Sequence, residues 1–548
     1  ARTNSVTIGA MKTRSIAAAV VVILAVVAII LAIVGYYGIQ RFKTPAPTKT
    51  ATASSAPIDV QGGDIQAYYN QGITWGKCAQ GTFDSYRGVN SSDPNEYQCA
   101  FLKAPLDWDN PDGDQITLAL AIHRSGAKDA PALFINPGGP GGPVVSALPY
   151  YSAQGLGESV VKAYDIVALD PRGVGDSTPV FCMTDAEKDK YNAGSETEGT
   201  DADSPQSAIA EVQEDSREFA QGCRDHSGAI FEHIDTVSAA RDFDMVRAII
   251  GQDKLNLLGY SYGTFLGATY AGLFPENVGR FVLDGALDPS LSIEDVSAMQ
   301  MRGLDASLQQ WIVDCATQST CPMGRTKDEG ISNVRAFLES LDKAPLPTSD
   351  PDRPLTESLA ITAMIGAMYN TQWWPQLSDA YADAVRRGDG SALLEIADLM
   401  NSRNPDGTYA DNSTDAINAI NNLDYEPEGT TDQWIERADA LKSELPILGR
   451  YVGYPSAGLS AWPTEHADRQ PIHATGAAPI LVIGTTHDPA TPYPMAQSLA
   501  EQLDSGVLIT VEGWNHTAYR RGADQCVVRA VEDYLVKGNV PQNGLTCQ

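Results

Sequence analysis

Short, mostly apolar runs recur along this chain, and most of them end in turns rich in glycine or proline. Runs of five to seven such residues are typical of strands buried in a parallel sheet, and they lie at 132–136, 164–170, 254–258, 280–284, 479–484 and 507–512. Segment 264–274 instead carries small and apolar residues at helical spacing. The pattern predicts an α/β protein with a mostly parallel, doubly wound sheet.

The second half of the chain contains a long stretch with a helical pattern. Apolar residues recur there at spacings of three and four in 298–315, 328–340, 356–369, 376–386, 390–401, 413–422 and 432–443. Two βα units need only about 60 residues, but residues 261 and 488 are 227 positions apart. We therefore predict a helical insertion at 289–473, in which Trp373, Trp374 and Trp462 either shape a pocket or pack as core aromatics.

The N-terminal segment predicts a membrane anchor. Residues 16–34 are 19 consecutive positions without a charged or polar group, and at about 1.5 Å per residue such a helix can cross a bilayer. No small-residue cleavage site follows, which favours an uncleaved anchor at 16–38 over a removed secretory signal. Residues 1–15 are then cytoplasmic, and 39–60, rich in Pro, Thr, Ala and Ser, form a stalk.

All eight cysteines lie beyond that stalk, which indicates four disulfides formed in an oxidising compartment. Eight cysteines allow about 105 pairings. Local spacing favours Cys78 with Cys99, Cys182 with Cys223, Cys315 with Cys321, and Cys526 with Cys547. The sequence contains no C-x-x-C pair and no H-E-x-x-H motif, so no metal site is expected.

The turn at 259–263, Gly-Tyr-Ser-Tyr-Gly, is the most informative local motif. It joins the strand-like run at 254–258 to the helical segment 264–274. A serine on so sharp a strand-to-helix turn is exposed between two glycines that let the backbone pass closely. Ser261 is therefore the candidate nucleophile of a hydrolase.

An acid and a histidine follow this serine along the chain. Asp488 comes shortly after the run at 479–484, and His516 ends the next strand-like segment 28 residues later. One βα unit of about 30 residues fits that gap. We expect His516 to take the proton of Ser261, while Asp488 orients the imidazole and stabilises its charged form.

Two residues compete for these roles. Asp284 also ends a strand-like run and is the alternative acid. His487 lies beside Asp488 but before the last strand, where it would line the site without reaching Ser261. The remaining histidines follow no comparable pattern and are expected to be surface or core residues: His123, His226, His233, His466 and His473.

A glycine-rich loop, Pro-Gly-Gly-Pro-Gly-Gly at 137–142, follows the run at 132–136. Tetrahedral intermediates of acyl transfer need preorganised N–H donors. We expect the backbone amide of Tyr262 to supply one donor and that of Gly138 or Gly139 to supply the other. Phosphate binding is not expected, because the loop lacks the lysine and the helix start that such loops use.

Five ordered motifs resemble those of the tripeptidyl-aminopeptidase-like branch of the prolyl aminopeptidase family, serine exopeptidases with an α/β-hydrolase fold. The motifs lie at 136–142, 170–177, 259–264, 282–285 and 488–492, and with the cysteines the match spans 78–547. Asn136 stands where many relatives carry histidine. The resemblance implies Ser261, Asp488 and His516 as the catalytic triad. It also implies an α/β-hydrolase core, at 61–288 and 474–548, under a helical cap.

Acidic residues dominate beyond the N-terminal segment. The whole chain has a formal charge of −31, and its first 50 residues hold six basic and no acidic residues, which leaves about −37 for the rest. Such a surface repels nucleic acid and anionic lipid and attracts a protonated peptide N-terminus. The acidic runs at 185–207 and 404–415 are expected to be exposed loops.

These features together predict a membrane-anchored enzyme with its catalytic domain outside the cytoplasm. It would need no cofactor and would release short peptides, such as tripeptides, from the N-terminus of oligopeptides through an acyl-enzyme. A carboxylesterase acting on envelope lipid or acyl esters would use the same triad and an apolar tunnel. A non-catalytic partner of a membrane complex, built on a hydrolase scaffold, is the third hypothesis.

Overall fold

The structure is a computed structural model that describes residues 64–83, 96–194, 204–467, 469 and 471–548. The predicted cytoplasmic segment, the anchor at 16–38 and the stalk lie outside the described residues. Within the described part, no helix combines the length and the apolar character that crossing a membrane requires.

The described strands form one sheet of ten strands. In chain order they are β1 (Gly76–Lys77), β2 (Tyr97–Pro105), β3 (Gln115–His123), β4 (Ala132–Asn136), β5 (Asp165–Leu169), β6 (Leu255–Tyr260), β7 (Val278–Asp284), β8 (Ile480–Thr485), β9 (Gly506–Val511) and β10 (Leu545–Cys547). Across the sheet the order is β1-β2-β3-β5-β4-β6-β7-β8-β9-β10. The pairs β1–β2, β2–β3 and β3–β5 are antiparallel, and every pair from β5 to β10 is parallel. The mostly parallel, doubly wound sheet is therefore confirmed.

Helices cover both faces of this sheet, which explains why β4, β5, β6 and β8 are buried at every position. The helices up to β7 and after β8 are Ile65–Tyr69, Leu148–Tyr150, Glu158–Ala163, Asp185–Ala193, Pro205–Ser227, Thr236–Ile249, Tyr262–Leu273, Tyr493–Gln502 and Gln525–Lys537. Between β7 and β8 lie Ile293–Ala316, Lys327–Lys343, Glu357–Met368, Trp374–Arg387, Ser391–Met400, Ser413–Asp424, Thr431–Glu444 and Pro455–Leu459. Each of the seven helical segments predicted after β7 overlaps one of these helices.

The helices between β7 and β8 build a hydrophobic core of their own. Trp311, Met364 and Tyr381 are among its buried members, and two other cores flank the sheet. Helix Ser413–Asp424 contributes to both layers, since Ile417 packs in the helical core and Ala416 packs against the sheet. This arrangement agrees with an inserted cap, although the boundaries at 289 and 473 stay a prediction.

The expectation of two exposed loops was wrong for much of both acidic runs, because 185–193, 205–207 and 413–415 belong to helices, whereas 404–411 form a partly exposed loop. Asp185–Ala193 is a helix that begins with a capping box between Thr184 and Glu187. Its Lys188 is 2% exposed and pairs with the fully buried Asp415 of the second run, Nζ to Oδ2, at 2.6 Å. A charged residue can be buried when it gains a partner, and this partner is distant in the sequence.

The cysteines form four disulfides, and no described cysteine is free. Each bond ties a strand or a loop to a neighbouring element. The pairs are Cys78–Cys99, Cys182–Cys223, Cys315–Cys321 and Cys526–Cys547, the same four that local spacing favoured.

Replacing Cys182 and Cys223 together by alanine should destabilise the protein. The bond joins residues 41 positions apart, and closing a loop of that size contributes about 3 to 4 kcal/mol to the free energy of unfolding by restricting the unfolded chain. Urea denaturation measures the loss. The matched C315A/C321A variant opens a loop of only 6 positions and should lose less, so an equal loss in both variants would contradict the loop-closure explanation.

Candidate active site

Ser261 lies on the turn between β6 and the helix that follows it, with φ 54° and ψ −123°. A positive φ is strained for a residue with a side chain, and the neighbouring glycines make the turn possible. A Cβ at Gly259 would lie 2.3 Å from the carbonyl oxygen of Gly263, and one at Gly263 would lie 2.6 Å from that of Asn136. The predicted strand-to-helix turn is thus present, with Ser261 at its apex.

Asp488 and His516 meet at the carboxyl ends of β8 and β9. Nδ1 of His516 lies 2.8 Å and 2.9 Å from the two carboxylate oxygens of Asp488. The same carboxylate accepts hydrogen bonds from the amides of Ala490 and Thr491, each at 2.9 Å, and of Thr517 at 3.2 Å. The backbone therefore holds Asp488 in place, and Asp488 favours a proton on Nδ1, which leaves Nε2 of His516 as the basic nitrogen.

Ser261 and His516 approach the same turn at the end of β7. The Ser261 amide donates to the carbonyl oxygen of Asp284 at 2.9 Å, and a Cβ at the next residue, Gly285, would lie 3.1 Å from Cε1 of His516. Oγ of Ser261 and Nε2 of His516 are both buried and have no hydrogen-bond partner within the described chain. Buried polar atoms are rarely unpaired, and catalytic hydrogen bonds often tighten only when substrate binds.

Asp284 does not take the place of Asp488 at the imidazole. Its carboxylate accepts hydrogen bonds from the amides of Ala518 at 3.0 Å and Tyr519 at 2.7 Å. Burial raises the pKa of Asp284 to about 7. This acid therefore anchors the loop that follows His516.

His487 is engaged elsewhere. Its ring stacks on Trp514, with centroids 4.1 Å apart and an angle of 10° between the planes. His123 packs against Tyr97, and burial lowers the pKa of His123. Neither histidine forms a hydrogen bond with Oγ of Ser261 in the described structure.

The glycine loop after β4 lies against the serine turn. A Cβ at Gly138 would be 2.9 Å from Cβ of Ser261 and 3.1 Å from the amide nitrogen of Tyr262. The amide of Gly138, however, donates to Oδ1 of Asn136 at 2.9 Å. The Gly139 amide donates to no described residue, so of the two predicted glycines Gly139 is the better candidate for a free donor beside Tyr262. Asn136, the departure from the family pattern, orders this loop.

Asp170 holds the far end of the same loop and was missed by the sequence reasoning. Its carboxylate accepts hydrogen bonds from the amides of Val144 at 2.6 Å, Val145 at 2.8 Å and Asp176 at 2.8 Å. Complete burial raises the pKa of Asp170 to about 7, against the effect of these bonds. Its position at the start of the motif 170–177 could have identified Asp170 as a functional residue from the sequence alone.

A second network that the sequence reasoning missed connects the serine turn to the helical layer. The hydroxyl of Tyr262 bonds the hydroxyl of Thr236, which donates to Asp424 at 2.6 Å, and the Thr236 amide donates to the same carboxyl group at 2.8 Å. Burial raises the pKa of Asp424 to about 7. Helix Ser413–Asp424 thus positions the residue whose backbone amide adjoins Ser261.

A cavity of about 30 Å³ lies next to His516, with room for about two water molecules. Four separate parts of the chain line it: the segment after the glycine loop, the end of β6, the end of helix Glu357–Met368 and the loop that begins at His516. Its walls include Tyr151, Tyr260, Tyr369, Asn370, Tyr519 and Arg520.

The comparisons with known proteins agree with this geometry. Residues 131–521 match the model of the family described as alpha/beta hydrolase fold. Serine protease Hip1 of Mycobacterium tuberculosis is 35% identical over 469 residues, which are 83% of this chain and 88% of the relative. Carboxylesterase B of the same organism is 36% identical over 480 residues, with coverages of 86% and 89%. Tripeptidyl aminopeptidase of Streptomyces coelicolor is 29% identical over 494 residues, with coverages of 87% and 86%.

Proposed function

The chain belongs to the alpha/beta hydrolase family and is a serine hydrolase, and on that premise we propose that it releases short peptides from the N-terminus of oligopeptides outside the cytoplasm. One observation carries the catalytic part of the proposal. The imidazole of His516 is held by both oxygens of Asp488, and its free Nε2 and the free Oγ of Ser261 are buried at the same turn.

In the proposed reaction, Oγ of Ser261 attacks the carbonyl carbon of the substrate while Nε2 of His516 takes the serine proton. The amides of Tyr262 and Gly139 stabilise the oxyanion of the tetrahedral intermediate. His516 then donates the proton to the leaving nitrogen, the C–N bond breaks, and the acyl group stays on Ser261 as an ester. A water molecule deprotonated by His516 attacks that ester, the C–O bond to Ser261 breaks, and His516 returns the proton to Oγ of Ser261 as the N-terminal peptide leaves.

The polarity of the cavity beside His516 supports a peptide substrate. The hydroxyls of Tyr151 and Tyr369 and the amide nitrogen of Asn370 are buried without a partner in the described chain, and all three residues line the cavity. A hydrocarbon chain would leave each of these groups unsatisfied, at about 1 to 3 kcal/mol each, whereas peptide oxygens can accept from them. The 36% identity to Carboxylesterase B keeps an esterase as the second candidate.

A pair of chromogenic substrates tests the exopeptidase. The wild-type enzyme should cleave Ala-Ala-Ala-p-nitroanilide. N-acetylation of that substrate should lower kcat/KM by about 100-fold, because it removes the charged amine that would bind acidic groups of the enzyme. Equal turnover of the free and the acetylated amide would contradict the proposal. Rapid hydrolysis of a p-nitrophenyl ester without amide cleavage would select the esterase instead.

We also propose that residues 16–38 anchor the enzyme in the membrane. The four disulfides support an oxidising location for the domain that follows. N-terminal sequencing of the mature protein from its native membrane is the test. A start within the first 15 residues agrees with an uncleaved anchor, whereas a start at or beyond Gly35 would make the enzyme a secreted one.

A further inference from the structure

We propose that the cavity beside His516 binds a carboxylate on the leaving part of the substrate, with Arg520 as its charged partner. The proposal rests on the peptidase function argued above and narrows its substrates. It favours short peptides whose C-terminal carboxylate lies close to the cleaved bond.

Residues that line the cavity carry hydrogen-bond donors that are unpaired in the described chain. Tyr151, Tyr369 and Asn370 are each 2% exposed, and their polar side-chain atoms are unpaired within the described residues. Burial raises the pKa of both tyrosines well above its usual value, so the two hydroxyls keep their protons and can donate. Because unpaired buried donors are rare and costly, three of them on residues that line one small cavity favour a ligand that accepts hydrogen bonds.

The cavity also has a positively charged residue in its wall. Arg520 lines the same cavity, and its guanidinium pairs with no carboxylate of the described chain. The next residue differs, because the Arg521 side chain donates to the carbonyl oxygens of Leu156 and Ala153, each at 2.8 Å. In a chain with 69 acidic and 38 basic residues, an unpaired arginine beside the candidate base points to an anionic ligand. A planar guanidinium matches a carboxylate in geometry as well as in charge.

The cavity lies beside the candidate base rather than beside the candidate nucleophile. The cavity touches His516 but is not lined by Ser261. Since His516 gives its proton to the leaving nitrogen, the cavity lies on the leaving-group side of the cleaved bond. The main-chain carboxyl carbon of a single leaving residue is two bonds from that nitrogen, about 3 Å or less. A cavity of about 30 Å³ has room for such a carboxylate.

The cavity wall is also preformed. The His516 amide donates to the carbonyl oxygen of Tyr369 at 2.8 Å, and the Thr371 amide donates to Oδ1 of Asn515 at 2.9 Å. These bonds fix the end of helix Glu357–Met368 against the loop that carries the candidate base. The donors therefore need no large movement to meet a carboxylate, which limits the entropic cost of binding.

Three alanine peptides test the proposal with the whole protein: tetra-alanine with a free C-terminus, its C-terminal amide, and penta-alanine. Wild-type kcat/KM for the free acid should exceed that for the amide by about 10- to 100-fold, mainly through KM, as expected for a charged hydrogen-bonded contact. Penta-alanine cut after its third residue carries its carboxylate about 3.5 Å further along and should lose much of this advantage.

Variants at the cavity test whether Arg520 causes the preference for the free acid over the amide. Arg520→Met should reduce the ratio between acid and amide to near one, and Arg520→Lys should retain part of it. Tyr151→Phe, which removes only a hydroxyl, should lower the ratio by several-fold. The control is Arg529→Met, which removes the same charge from an exposed position on the nearby helix and should keep the wild-type ratio.

A wild-type ratio near one, or a preference that survives Arg520→Met, would overturn the proposal and leave a cavity that holds only water. If wild-type enzyme cleaves no peptide at all, the proposed function fails instead. Calorimetry on Ser261→Ala, which cannot cleave its ligand, then tests the subsite separately, with tetra-alanine and its C-terminal amide as probes. The acid should bind at least about tenfold more tightly, and adding Arg520→Met should remove that difference. Equal binding of acid and amide to Ser261→Ala would overturn the subsite on its own.

Discussion

Ser261→Ala should lower kcat by about a million-fold, as loss of the nucleophile does in well-studied serine proteases, and should leave the fold intact. The oxygen that is removed forms the bond to the substrate in the proposed reaction. Because Oγ of Ser261 has no hydrogen-bond partner in the described structure, its removal breaks no stabilising contact. Single-turnover kinetics on Ala-Ala-Ala-p-nitroanilide and thermal unfolding measure the two parts of the prediction.

The matched control is Ser307→Ala in helix Ile293–Ala316. Ser307 is also fully buried and its hydroxyl is also unpaired, but it lies outside the candidate site. This variant should keep wild-type kcat. If Ser261→Ala retains a tenth of the activity, or if both variants lose activity equally, Ser261 is not the nucleophile.

Asp488→Asn should lower kcat by about 10⁴-fold, in line with the equivalent change in a serine-protease triad. The asparagine side chain can occupy the same space, but its NH₂ group would donate toward Nδ1 of His516. That contact favours the tautomer with its proton on Nε2, which cannot accept the proton of Ser261. Steady-state kinetics across a pH series measures the loss, and circular dichroism verifies the fold.

Asp284→Asn is the matched control for the acid. Asp284 accepts its hydrogen bonds from the amides of Ala518 and Tyr519 and not from the imidazole, so its substitution should loosen the loop after His516 and cost far less activity. A larger loss for Asp284→Asn than for Asp488→Asn would reverse the two assignments and make Asp284 the orienting acid.

Local sequence patterns predicted much of the fold because burial and turn formation depend on neighbouring residues. Consecutive apolar residues marked the buried strands β4 to β9, and spacings of three and four marked the helices between β7 and β8. The turn at 259–263 was predicted from its two glycines, since only small residues let the backbone pass so closely. The observed helix ends differ from the predicted ones by a few residues, because the helices begin after capping side chains such as Ser292 and Thr356.

Local patterns were less informative where a side chain finds its partner far along the chain. The run at 185–207 has the composition of a loop, but Lys188 is buried because Asp415 neutralises it. Asp170 and Asp424 were two acids among many, and only the folded chain places them against the glycine loop and the serine turn. The spacing of apolar residues along the chain does not show which distant residues become neighbours in the fold.

The sequence by itself predicted strands β4 to β9 in their order along the chain, favoured the local cysteine pairs and supplied the candidates Ser261, Asp488 and His516, whereas strands β1 to β3 and β10 were not predicted. Each of these predictions follows from residues that are neighbours in the chain or from the order of motifs. Only the tertiary structure decided that Asp488 rather than Asp284 meets the imidazole, and that the Gly138 amide is occupied by Asn136. It alone brought three donors and Arg520 into one cavity. The physical reason is that hydrogen bonds act over about 3 Å, and elements distant in sequence come that close only when they pack.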